Sequence, residues 1–149
     1  MPGPIADRAY AGADYLIGRA SAACRRVGAH LVLVTIPDPI QLTSHGRVKL
    51  AALSGSPDAC DENLPDRRIA ASCQRHGVPF IAGKEYLSAR DYKRIEGLHW
   101  NARGHRRMAD VLRRVYESFR SGELDRLAAK SYLKAGERLT LHESPIGSR

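Results

Sequence analysis

The chain has 149 residues, 43% of them hydrophobic, and a net charge of +8. This length predicts one domain with a core of useful size, and this composition excludes a chain that is disordered throughout. The positive charge is spread over separated arginine pairs without a run of five like charges, and only 6% of the residues are aromatic. The pattern therefore favours solvated helix faces and disfavours a nucleic-acid interface.

The cysteines and the N-terminus indicate whether the chain belongs to a disulfide-bonded, secreted or membrane class of protein. Cys24, Cys60 and Cys73 show no CxxC spacing, and Cys24 and Cys73 fall at apolar helix positions. We therefore expect buried free thiols and no disulfide framework. Residues 1–4 lack the charged and apolar regions of a signal peptide, and no apolar run approaches the roughly 18 residues of a membrane span. As given, the chain is expected to be cytoplasmic, without a membrane span.

The first part of the chain predicts a helix and then a strand. Helical spacing of apolar residues indicates a first helix over about 11–27, ended by Gly28. Its inward stripe is predicted to comprise Leu16, Ala20, Ala23 and Val27. Residues 31–36 form a continuous apolar run, which is typical of a central strand in a parallel sheet covered by helices.

The same order then repeats. Residues 41–62 are predicted to be irregular, and a second helix is expected over about 65–76. Its inward side is predicted to contain Ile69, Ala70 and Cys73. After Gly77, residues 78–82 predict a short strand, which Pro79 assigns to a sheet edge.

The last part predicts two helices. Asn101 is expected to cap a third helix that runs to about Phe119, and His105 lies on its apolar stripe as a structural histidine. The stripe is otherwise composed of Met108, Val111, Leu112, Val115 and Phe119. A short further helix, with Leu124, Leu127 and Ala128, precedes a tail from Gly136 that is expected to be loosely ordered.

Helix–strand alternation of this kind is characteristic of an α/β fold. Two strands are few for a doubly wound sheet, which usually has about five, and they would leave sheet edges open to water. The chain also begins with a helix. We therefore expect residues 1–120 to be the C-terminal portion of an α/β domain, followed by a short helix and tail in residues 121–149.

The candidate chemistry lies between the second strand and the third helix. Glu96 and His99 stand three residues apart in a predicted loop. In Ser-His-acid catalysis a carboxylate orients an imidazole, which then deprotonates a serine. An acid and a base on one short loop keep a fixed relation to each other.

This loop and its surroundings resemble the SGNH/GDSL family of serine hydrolases. Residues 96–105 read Glu-Gly-Leu-His-Trp-Asn-Ala-Arg-Gly-His, and the family's last block has an acid three residues before its histidine, often followed by Trp-Asn-x-x-Gly-His. The segments 31–39, 64–68 and 77–80 are also similar to bacterial members. The resemblance extends from Gly28 to Leu112, somewhat more than half of the chain.

The resemblance implies a flavodoxin-like, three-layer SGNH hydrolase fold that is truncated at its N-terminus. It implies that His99 is the general base and Glu96, in place of the usual aspartate, its orienting acid, without metal or cofactor. The substrate would be a small-molecule or glycan ester. The family's Gly-Asp-Ser nucleophile block and its oxyanion blocks are not found, and Ser44, Ser54 and Ser56 are better explained as loop serines. Little or no esterase activity is expected of this chain alone.

Three alternatives remain open. The chain could be a non-catalytic α/β protein that associates with itself through an exposed sheet edge. It could be a basic nucleic-acid-binding module, which the scattered arginines disfavour. A zinc site built from Glu96, His99 and His105 is also conceivable, although its spacing fits no recurrent ligand pattern.

Overall fold

The computed structural model describes residues 3–54, 61–93 and 99–135. It contains five helices among these residues: α1 (Pro4–Arg26), α2 (Ser44–Ser54), α3 (Leu64–Arg75), α4 (Ala102–Arg120) and α5 (Leu124–Ala135). Two strands, β1 (Leu33–Thr35) and β2 (Phe80–Ala82), pair in parallel. Short 3-10 turns occupy Pro39–Leu42, Gly83–Glu85 and Ala89–Asp91. No described helix combines the length and the apolarity that crossing a membrane would require.

The two strands separate two apolar clusters. Side chains alternate between the faces of a strand, so Phe80 and Ala82 enter one cluster and Ile81 enters the other. The first cluster joins the strands to α1 and α3 through Ile17, Ala70 and Cys73. The second joins them to α4 and to the segment after β2, through Leu87, Tyr92, Met108 and Val111. Helices therefore cover both faces of the sheet, as in an α/β fold.

Helix α5 lies along the outer edge of β2. Ala128 belongs to the first cluster and Leu127 packs against the second, so the helix touches both faces at once. It also contacts β2, α3 and α4. The strand β2 is consequently enclosed on both faces and at one edge, while β1 occupies its other edge.

The predicted inward stripe of α1 is wrong. Leu16 and Val27 are 65% and 78% exposed, whereas Ile17 and Ser21 are buried. The helix begins at Pro4, seven residues before the predicted start at about residue 11, and it turns a more polar side toward α3. The apolar stripe is real in the sequence, but no described part of the chain covers it.

Two further predictions need correction. Part of the segment predicted to be irregular forms α2, while residues 55–60 of it lie outside the described residues. The burial of the strands is also the reverse of the prediction: β2 is fully buried despite Pro79, and β1 is half-buried along its length. Pro79 is tolerated because it lies before β2, where its carbonyl accepts a hydrogen bond from Leu33 N–H at 3.0 Å.

Other predictions are confirmed. Ala70 and Cys73 face the core from α3, α4 begins after Asn101, and α5 follows with Leu124 and Ala128 buried. Both glycines predicted to end helices have positive φ, 68° at Gly28 and 63° at Gly77, a conformation that other residues adopt with strain. The tail from Gly136 lies outside the described residues.

The two described cysteines should differ sharply in reactivity. Cys73 is fully buried, and burial raises the pKa of its thiol to about 12, whereas Cys24 is half-buried. Because the thiolate is the reactive form, we expect N-ethylmaleimide at pH 8 to alkylate Cys24 at least about 100-fold faster than Cys73. Mass spectrometry of the tryptic peptides measures both. Equal rates in the folded protein would contradict the burial, and unfolding in guanidinium should equalise them.

Candidate active site

The predicted acid–histidine loop is closed by a small antiparallel hairpin. Tyr92 and Trp100 form an antiparallel bridge. Lys93 N–H donates to the His99 carbonyl at 2.8 Å, and Asn101 N–H donates to the Asp91 carbonyl at 3.0 Å. Residues 94–98 lie outside the described residues, and Glu96 is among them. The first described residue after this gap is His99, and the bond from Lys93 N–H to its carbonyl holds its backbone in place.

Asn101 connects the hairpin to α4. Its side-chain oxygen accepts from Arg103 N–H at 2.9 Å and from Gly104 N–H at 3.0 Å, as the sequence predicted for a helix cap. Its side-chain nitrogen donates to the carbonyls of Arg90 and Tyr92, at 2.8 and 3.1 Å. The Asn101 side chain thus caps α4 and also ties it to the backbone on the other side of the hairpin. Its position in the sequence predicts the cap but not this second role.

Asp91 is a fully buried carboxylate at the base of the hairpin. One of its oxygens accepts from Ser88 N–H and Ser88 O–H, at 2.7 and 2.8 Å. The other lies 3.0 Å from Arg103 Nε and 3.7 Å from Arg107 Nε, in ion pairs that lack hydrogen-bond geometry. Burial raises the pKa of Asp91, but the Ser88 hydrogen bonds and the two guanidinium charges outweigh it, and the net pKa is lowered.

Gly104 allows α4 to approach the hairpin. A Cβ at this position would lie 2.2 Å from the Asp91 carbonyl oxygen and 3.0 Å from Trp100 Cβ. These distances are shorter than van der Waals contact, so only glycine lets the first turn of α4 pack against the hairpin backbone. The Trp-Asn-x-x-Gly pattern is therefore explained locally by packing and capping.

The hairpin docks at the carboxyl ends of the strands. Tyr92 O–H donates to the carbonyl of Pro37, which follows β1, and burial raises the pKa of this phenol. Gly83, which follows β2, approaches β1 so closely that a Cβ would lie 2.0 Å from the Thr35 carbonyl oxygen. Ligands of open α/β sheets bind outside this edge, at the carboxyl ends of the strands.

The predicted site residues differ in their surroundings. His99 is exposed, and no hydrogen bond joins its imidazole to a described residue. Trp100 is half-buried and packs against the second cluster. His105 is exposed, which corrects its predicted burial: its ring meets the edge of Trp100, with centroids 5.5 Å apart. It lies on the flank of the apolar stripe, beside the buried Gly104.

The candidate serines are not brought into a described triad. Ser44 is exposed at the first residue of α2, the side chain of Ser54 is not described, and Ser56 lies outside the described residues. The zinc alternative depends on Glu96, which is also outside them. Within the described ranges, no three His, Cys, Asp or Glu side chains converge as metal ligands.

A polar cluster between α1 and α3 was missed in the sequence. Asp14 accepts from Ser72 O–H at 2.5 Å and from Arg75 at 2.8 Å, and it lies 3.2 Å from His76 Nε2. Here the carboxylate stands between serine and imidazole, whereas in a catalytic triad the imidazole stands between serine and carboxylate. The cluster therefore joins two helices and is no nucleophile. Asp14 is about 60 positions away from the other three residues, and no local sequence pattern predicts the cluster.

A cavity of about 520 Å³ lies at the opposite, amino-terminal ends of the strands. Its lining includes His30 and Leu31 before β1, Pro79 before β2, and Phe119 near the end of α4. It does not include His99 or any other residue of the hairpin. This cavity and the predicted histidine therefore lie at opposite ends of the strands.

Comparison with known proteins adds no relative. No family model, no curated protein and no solved structure matches this chain.

Replacing Asp91 should destabilise the protein at neutral pH. We expect Asp91→Asn to lower the free energy of unfolding by about 2 kcal/mol, because it removes a charge-assisted acceptor and leaves Arg103 and Arg107 without their partner. The lowered pKa means that this stabilisation is present above the unfolded-state pKa and is lost as pH falls through the folded one. Urea unfolding at pH 7 and pH 3 measures both, and the difference between variant and parent should shrink at pH 3. An undiminished difference would contradict the role of the charge.

Two substitutions of Asn101 should separate its functions. Asn101→Ala removes the cap and both bonds to the hairpin, and we expect a loss of about 2 kcal/mol. Asn101→Ser keeps a capping oxygen without placing a second acceptor against the carbonyls of Arg90 and Tyr92, so its loss should be about half as large. Thermal unfolding compares the three proteins. Equal losses would show that the bonds to Arg90 and Tyr92 dominate the cap.

Proposed function

We propose that this chain carries the base-and-acid half of a Ser-His-acid ester hydrolase of the SGNH/GDSL type. In this proposal His99 is the general base and Glu96 orients it. The imidazole takes the proton of a serine hydroxyl as the serine oxygen attacks the ester carbonyl, and it returns that proton to the departing alkoxide. The substrate is a small-molecule or glycan ester, and the reaction needs no metal or cofactor.

The observation that carries the proposal is the docking of the His99 hairpin at the carboxyl ends of β1 and β2. The bond from Tyr92 O–H to the Pro37 carbonyl brings the hairpin to the edge where α/β folds place their chemistry. The imidazole is exposed, so a partner group can reach it. Its backbone is held through Lys93 and the Trp100 bridge, which limits the positions that the imidazole can take.

The proposal also limits what the chain does alone. None of its serines stands in a Gly-Asp-Ser or Gly-x-Ser-x-Gly sequence. Without a nucleophile and oxyanion donors, a base retains little of the rate advantage of a triad. The flavodoxin-like three-layer fold, of which the described helices and two strands would be one part, belongs to the same proposal.

Turnover of an activated acetyl ester tests the role of His99. We expect this chain to be a weak catalyst whose residual rate falls in His99→Ala and is unchanged in His45→Ala. The second variant is a matched control, because His45 is also exposed but lies on α2, outside the hairpin. Equal rates in the parent and His99→Ala would remove His99 from the mechanism.

A longer product of the same gene tests the role of the missing nucleophile. The proposal expects an in-frame Gly-Asp-Ser block upstream of Met1, and His99→Ala in that longer protein should lower kcat by about 10³-fold or more. An upstream reading frame without such a block would contradict the hydrolase proposal.

A further inference from the structure

Half of the net charge of the chain lies around the His99 hairpin. Residues 86–107 contain six arginines or lysines and two acids, so about a seventh of the chain carries half of the net charge of +8. Among the described residues of this segment, the only carboxylate is that of Asp91, which is buried. The cations of the same residues are all exposed: Arg90, Lys93, Arg103, Arg106 and Arg107. The hairpin is therefore surrounded by more positive charge than its own acids balance.

The strand that carries His99 also leads into this charge. Side chains alternate between the two faces of a strand, and Tyr92 and Trp100 turn theirs toward the second cluster. His99 therefore points to the opposite face of the hairpin. Asn101, two residues further along the same strand, lies on that face as well, about 7 Å away. Because Asn101 caps α4, the first turn of that helix begins beside the face that His99 occupies.

Two guanidinium groups from the start of α4 share the single carboxylate of Asp91. The same Asp91 oxygen is the partner of both Arg103 and Arg107, and no N–H of either group is directed at it. Arg107 donates one N–H to the Tyr86 carbonyl at 3.0 Å. The side chains of Arg103 and Arg107 are 44% and 45% exposed. The pair therefore keeps an excess positive charge and N–H donors that a further anion can reach.

The fold brings a third arginine to the same place. Arg90 precedes Arg103 by 13 residues, but one side chain joins their backbones. The Asn101 amide donates to the Arg90 carbonyl at 2.8 Å and accepts from Arg103 N–H at 2.9 Å. Arg90 is exposed, so its guanidinium adds to the charge at the start of α4. We call Arg90, Arg103 and Arg107 the cationic rim.

We infer that the cationic rim binds an oxyanion of the substrate, so that the ester placed against His99 also carries a carboxylate, phosphate or sulfate group. This inference rests on the proposed function of His99, and it narrows the substrate from esters in general to acidic esters. Guanidinium groups suit this role because their planar fork donates two parallel hydrogen bonds to an oxyanion. Their excess charge also raises the local concentration of an anionic substrate.

The spacing along the hairpin limits where the oxyanion lies in the substrate. His99 and the start of the cationic rim at Asn101 are separated by two strand residues, so the oxyanion should lie roughly 7–10 Å from the ester carbon. A separation of this size spans one substituted ring. The acidic group and the ester therefore belong to the same ring or to neighbouring units of one molecule.

Binding of inorganic phosphate tests the cationic rim without any reaction. A titration at constant ionic strength and pH 7, followed through the NMR signals of the His99 ring, should saturate with a dissociation constant in the millimolar range. Arg103→Gln should raise this constant at least about fivefold, because it removes a charge-assisted donor. Arg90→Gln should do the same and leaves both ion pairs of Asp91 in place, so a loss of folding would not explain its effect.

Two acetyl esters test the substrate class: 4-acetoxy-3-nitrobenzoate, which carries a carboxylate across the ring, and 4-acetoxy-3-nitrobenzamide, its neutral analogue. With each kcat/KM normalised to the alkaline hydrolysis of the same ester, the parent should prefer the benzoate at least about fivefold. The preference should fall toward one in Arg103→Gln and in Arg90→Gln. Arg113→Gln is the matched control for both measurements, because Arg113 pairs with Glu117 about 15 Å further along α4. Its dissociation constant and its preference should equal those of the parent.

The possible failures of the two proposals are distinct. Phosphate shifts that never saturate, or a constant that neither Arg103→Gln nor Arg90→Gln changes, would overturn the inference. Equal normalised kcat/KM for the two esters, with turnover that depends on His99, would also overturn it and would leave the hydrolase proposal standing. Phosphate binding at the cationic rim together with turnover that His99→Ala does not change would contradict the hydrolase proposal, and with it the assignment of the bound oxyanion to a substrate.

Discussion

The pairing of β1 with β2 is the constraint on which the rest of the structure depends. Phe80, Ile81 and Ala82 lose essentially all contact with solvent, and they do so only because helices cover both faces and α5 covers one edge. Burial of such side chains stabilises a fold by about 1.5–3 kcal/mol for each large residue. Every helix except α2 contributes a residue to one of the two clusters that this pair separates.

The candidate site depends on the same pair through its carboxyl ends. Pro37 and Gly83 follow the two strands, and the hairpin is attached there through Tyr92. Asp91 and Asn101 then fix the hairpin to α4 by contacts that are mostly backbone and charge. Because the His99 side chain takes no part in these contacts, the geometry of the hairpin and the chemistry of its histidine can be altered separately.

Local patterns predicted local features well. Glycines with positive φ, the Asn101 cap and the inward side of α3 were all correct, because each follows from the conformational preference of one residue or from one helical period. The type and order of the helices and strands were also largely correct outside residues 41–62. The α/β class follows from that order alone.

Burial and contacts between distant parts of the chain were harder to predict from the sequence. The stripe of α1 was assigned inward because apolar residues at helical spacing usually face a core, but Leu16 and Val27 are exposed. His105 was misplaced for a similar reason, since it lies at the margin of the α4 stripe. The Asp14 cluster joins residues about 60 positions apart, and the second role of Asn101 depends on where Arg90 and Tyr92 fold back. Neither leaves a local signature.

The attachment of α1 has a consequence for acid conditions. Of its 23 residues only Ile17 and Ser21 are buried, so polar contacts contribute to its hold on α3, among them those of the Asp14 carboxylate. The hydrogen bonds from Ser72 and Arg75 lower the pKa of Asp14, and this contribution is lost as pH falls through the lowered value. Acid should therefore weaken the attachment of the first helix to α3, just as it removes the charge of Asp91 at the base of the hairpin, so both ends of the described fold loosen when carboxylates are protonated.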